Sequence, residues 1–142
     1  MRRTAFIAAG IALVTVTSVG LALSSVASWK GAVAGKDGSK VTGTATMAPA
    51  GDGTEVNVMI LGDEAGVTRP WHIHMGSCEK GGGVFGGGRS YTPIAMDGSG
   101  HGMSKATMPV AAPDTGSYYV NIHESAGNMG KIVACGDLAK EM

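Results

Sequence analysis

From Lys40 onward the chain sets apolar residues at every second position, in short runs broken by glycine. That period belongs to a β-strand, whose successive side chains point to opposite faces. In residues 40–47, Thr42, Thr44 and Thr46 alternate with Val41, Ala45 and Met47. In residues 55–61, Val56, Val58 and Ile60 share one face. Residues 117–124 separate Tyr118, Val120 and Ile122 from Tyr119, Asn121 and His123. Residues 68–75 and 131–136 read as further strands, and 92–96 with 103–108 as a hairpin turning at Asp97-Gly98. Gly51-Asp52-Gly53 marks the turn of another hairpin. No segment carries a helical period. About seven short strands joined by Gly-rich turns predict an all-β sandwich or partly closed barrel. Its core is to be built from Val, Ile, Ala and Met rather than aromatics.

Ahead of this pattern, residues 1–27 have the form of a signal peptide. Arg2 and Arg3 give a positive start, residues 4–23 an uncharged apolar run, and Ser25-Val26-Ala27 a small-x-small site. A second such site lies at Ala32-Val33-Ala34, and the apolar run is long enough to serve as an uncleaved membrane anchor instead. The expectation is an exported protein: periplasmic, extracellular or in the cell envelope. Residues 28–39, small and polar, read as a tether, which places the folded domain at 40–142.

The whole chain has 11 basic and 11 acidic residues, and without Arg2 and Arg3 the balance is slightly acidic. No Lys/Arg cluster remains, which excludes nucleic acid as a natural partner. The chain has two cysteines, Cys78 and Cys135. In an exported domain such a pair forms a disulfide, the alternative being two free or metal-binding thiols. No CxxC spacing supports a thiolate metal site. A bridge closing so long a loop stabilises by roughly 4 kcal/mol in the chain-entropy model.

The chemistry concentrates in Trp71-His72-Ile73-His74-Met75-Gly76-Ser77-Cys78. A strand puts His72 and His74 on one face and Trp71, Ile73 and Met75 on the other, so two imidazoles can serve one ion. His123, on a separate strand, is the candidate third ligand, and neutral imidazole suits copper or zinc. His101 sits in a Gly-His-Gly turn and reads as a surface residue. The glycine triplets at 81–83 and 86–88 are followed by no Gly-Lys-Ser/Thr and no helix, and read as a surface loop rather than a phosphate cradle. Most of the nine methionines read as strand core fillers.

Taken in order, His72-Ile73-His74, Cys78, Val120-Asn121-Ile122-His123-Glu124, Asn128-Met129-Gly130 and Val133-Ala134-Cys135-Gly136-Asp137 resemble the copper/zinc superoxide dismutase family over residues 40–138. The resemblance implies a Greek-key β-barrel, one copper ion on His72, His74 and His123, and a Cys78–Cys135 disulfide. It also exposes departures. The family's bridging histidine and its zinc ligands follow the first cysteine, whereas no histidine lies between Cys78 and His101 here, so the zinc site is expected to be absent. The family's anion-orienting arginine corresponds to Ile132. Lys131 beside it offers only a less directed point charge for anion guidance. Three functions follow as alternatives: a dismutase acting on superoxide, a copper storage, delivery or sensing protein, or a structural barrel without functional metal.

Overall fold

A computed structural model describes Gly20 and residues 27–142. The expected leader, residues 1–27, lies outside the described residues except for Gly20 and Ala27. Among the described residues nine strands form: β1 (Ser28–Gly35), β2 (Thr42–Ala50), β3 (Gly53–Leu61), β4 (Thr68–Arg69), β5 (Trp71–Met75), β6 (Ile94–Ala95), β7 (Gly102–Met108), β8 (Tyr118–Ser125) and β9 (Asn128–Glu141). Seven of them make one antiparallel sheet in the order β5-β8-β9-β1-β2-β3-β7, curled into a half-barrel. The all-β barrel expected from the alternation is therefore present. β9 follows β8 through a short turn and lies beside β1, so the first and last of the described strands are neighbours inside the sheet.

The alternating strands bury the faces expected of them, but the core also takes Trp29, Trp71, Phe85 and Tyr91, which corrects the expectation of a core without aromatics. Val56, Val58 and Ile60 are buried from β3, Ala45 and Met47 from β2, and Val120 and Ile122 from β8. Trp71 and Ile73 of β5 join them, while Met75 on the same strand is half-exposed beyond the core's edge. Gly51 and Asp52 turn β2 into β3 between the paired Ala50 and Gly53.

Three further expectations need correction. The segment read as a tether is largely β1, an interior strand hydrogen-bonded to β2 on one side and β9 on the other. Its core signal is the pair Trp29 and Val33, both buried, diluted by the small residues between them. The smallness has a function: a Cβ on Gly31 would lie 2.2 Å from the Asp137 carbonyl oxygen of β9, so the two strands can meet only at glycine. The domain thus begins near Ala27, itself buried, rather than at Lys40. The second correction concerns the predicted hairpin of 92–96 and 103–108. Asp97 N–H donates to the His101 carbonyl as a turn should, yet β6 pairs with β4 and β7 with β3. The third is Pro70, which lacks the N–H a ladder requires and divides 68–75 into β4 and β5.

Cys78 and Cys135 form a disulfide, with Cα atoms 6.0 Å apart across 57 residues of sequence. The bond is compatible with an oxidising, exported location. It ties the loop leaving β5 to β9, reinforced by the Cys78 N–H, which donates to Asp137 Oδ1 at 2.8 Å.

Candidate metal centre

His72 and His74 leave β5 on one face, as strand geometry requires, and β5 pairs with β8 so that His72 lies opposite Asn121 and His74 opposite Tyr119. His123 is therefore diagonal to His72 on the neighbouring strand, within the reach of long side chains. Register shifts flank it: β8 and β9 slip between Ile122 and His123 and again before Ser125. Such irregularities re-aim side chains and favour functional sites. The His123 N–H donates to the Pro70 carbonyl at 2.9 Å, so the break between β4 and β5 anchors the same residue.

The three imidazoles converge. One nitrogen from each of His72, His74 and His123 lies within 4.8 Å of the others. His74 and His123 are buried, at 9% and 5% exposure, and His72 is partly open. Their proton positions follow from backbone acceptors. His74 Nδ1 is 2.9 Å from the Gly82 carbonyl and His123 Nδ1 is 2.7 Å from the Met129 carbonyl. A carbonyl only accepts, so both Nδ1 atoms carry the hydrogen and both Nε2 atoms present lone pairs. His123 Nε2 meets His72 Nδ1 at 3.1 Å, which makes His72 Nδ1–H the donor when no ion is held. His74 Nε2 is buried and has no hydrogen-bond partner at all. An orphaned buried acceptor is costly, and a metal ion relieves that cost.

The surroundings favour the neutral rings of His72 and His123. Burial, then the proximity of His123 and His74, pushes the His72 pKa down to about 4. Burial also lowers that of His123, against the opposing effect of the Met129 carbonyl. Unprotonated imidazoles are the form a metal takes.

Several neighbours escaped the sequence reading. Tyr119 stacks on His74 with centroids 5.0 Å apart, and Tyr91 meets His72 edge-on at 5.1 Å. Tyr119 was legible as a residue on the His123 face, whereas Tyr91 arrives from a loop without period. The Gly82 carbonyl arrives from the glycine-rich loop, which binds along the free edge of β5: Met75 N–H donates to Gly83, and Phe85 N–H to Ile73. A Cβ on Gly82 would stand 1.6 Å from the Met75 carbonyl oxygen, so only glycine lets the loop come this close. Farther along, Gly88 faces His72 Nε2, 3.5 Å from where its own Cβ would be. The loop read as mere surface therefore lines the centre.

The remaining predicted residues lie apart. His101 is exposed in the turn before β7 and is not among the converging nitrogens. Lys131 is exposed on β9 and ion-paired with Glu124. Arg69, nearly buried, grips Asp63 through Nε and Nη2 at 2.8 and 2.7 Å and donates from Nη1 to the Glu124 carbonyl. Its hydrogen bonds brace the strand end behind His123. No protein-family model matches the chain, and no curated protein matches it. The chain offers a three-histidine centre able to bind a metal ion.

Proposed function

We infer that His72, His74 and His123 hold one copper ion in an exported, dismutase-like protein whose substrate is superoxide. The observation that carries this reading is His74 Nε2, a buried lone pair with no partner, its tautomer fixed by Gly82 and two further imidazole nitrogens beside it. Neutral nitrogen donors without thiolate or carboxylate suit copper, with a position left for a small fourth ligand. The order of His-x-His, cysteine, late histidine and second cysteine supports copper over zinc by resemblance. Copper, when bound, would supply the one-electron couple that converts two superoxide anions and two protons into dioxygen and hydrogen peroxide.

The chain's own contribution is preorganisation. Gly82 and Met129 hold protons on Nδ1 of His74 and His123, keeping the opposite nitrogens free. For His72 to offer Nδ1, its proton moves to Nε2, on the side where Gly88 leaves room. Tyr91 and Tyr119 wall the rings and fix their planes.

A second reading, copper storage, delivery or sensing, is favoured by one observation: Lys131, the candidate guide for anions, is ion-paired with Glu124. Metal analysis of the purified protein, with superoxide turnover measured on the copper-loaded form, separates the two. One copper per chain with turnover supports the dismutase. One copper without turnover supports the second reading, and failure to bind copper overturns both.

A further inference from the structure

The outer face of β2, β3 and β7 is polar, with Thr44, Thr46, Glu55, Asn57 and Lys105 directed outward. Two methionines interrupt it. Met59 of β3 and Met103 of β7 are directly opposed register partners. Opposed side chains on adjacent antiparallel strands have Cβ atoms roughly 4.5–5.5 Å apart. Both side chains line one shallow groove of about 520 Å³ on this face. Met59 is 37% exposed and Met103 75%, so neither thioether fills the core. The buried methionines Met47, Met96 and Met108 do that. The one nearby cation, Lys105, is offset by Glu55 at 3.3 Å.

We propose that Met59 and Met103 form a second metal site, a two-thioether clasp for a soft monovalent cation, copper(I) or its analogue silver(I). Thioether sulfur selects soft ions and gives little to zinc, magnesium or calcium. Unbranched methionine side chains with three rotatable bonds can bring both sulfurs to one ion without moving the strands. The pairing supplies the second ligand at high effective concentration, which one exposed methionine alone lacks. The site is built on β3 and β7, shares no residue with the histidine centre on β5 and β8, and needs none of its ligands. Binding there involves no electron transfer and no bond cleavage.

The test is a silver(I) titration of the intact protein carrying 13C-labelled methionine methyls, followed by NMR. Met59 and Met103 signals should shift together and saturate at one equivalent. In Met103→Leu, the Met59 response should weaken by at least about tenfold in affinity, the loss expected when one arm of a two-point attachment is removed. Met103 is largely exposed, so the variant is expected to fold, and unchanged methyl shifts of buried Met47 and Met108 verify that. Independent titration of the two methionines, or a Met59 response that survives Met103→Leu, overturns the proposal. The histidine ring protons, followed in one-dimensional proton spectra of the same samples, report the other centre, so failure at one site is read separately from failure at the other.

Discussion

Replacing His72, His74 or His123 by alanine removes one of three nitrogens that share a single point, and leaves the remaining two with too few partners for tight binding. Copper affinity should fall by at least roughly 100-fold for each, beyond the usual effect of losing an outer-shell partner. His101→Ala, outside the cluster, should leave it unchanged, and competition titration against a chelator of known affinity measures all four. His72 also sets an acid limit on the metal-free protein. The pKa of His72 in the fold is about 4, depressed by burial and by His123 and His74, against an ordinary value of 6.5. A lowered pKa means the fold favours the neutral ring. That contribution is complete above 6.5 and is lost as pH falls through 4. Thermal melts of the metal-free protein should show the midpoint falling across this window, with a shallower fall in His72→Gln, which cannot titrate. How legible the centre was depended on residue type. The imidazoles are distinctive in sequence and the strand period gave their shared face. The carbonyls of Gly82 and Met129 that fix their protons belong to the backbone, which every residue possesses, so no side chain announced them.

Among the elements, strands with a strong apolar face were readable and those built from small residues were not. β3, with Val56, Val58 and Ile60, is unmistakable, whereas β1 hides Trp29 and Val33 among glycine, alanine and lysine. Its small residues reflect the close approach of β9 at Gly31 rather than a flexible linker. Pairing partners were equally hidden: 92–96 and 103–108 are neighbours in sequence, yet each finds a different strand, because a turn fixes only the residues beside it. For a cleaved leader, the position of β1 selects the earlier of the two candidate cleavage sites. Cutting after Ala34 would remove the strand that joins β9 to β2 and divide the sheet. Cutting after Ala27 keeps all of β1. N-terminal sequencing of the protein purified from cells expressing the full chain should therefore find a start no later than Ser28, and a start at Gly35 would contradict this placement.

For the molecule as a whole, the disulfide joins the loop that lines the candidate metal centre to β9, an interior strand of the sheet. Thiol labelling of unfolded, unreduced protein should find no free cysteine. Replacing both cysteines by serine should lower unfolding free energy by up to about 4 kcal/mol in denaturant titrations, the figure expected for a loop of this length. β1 carries a different consequence. Its first residue pairs with Glu141, 113 positions later, and Ser28 Oγ donates to the Glu141 carboxylate. The first strand to be synthesised must wait for the last before its second edge is covered. Contacts so distant in sequence close slowly, because the loop entropy is met before the contact forms. A chain emerging vectorially, from ribosome or membrane pore, therefore cannot finish this sheet until β9 is free. Such a chain stays threadable for as long as it is being threaded, and its sheet can close only after the last strand has emerged.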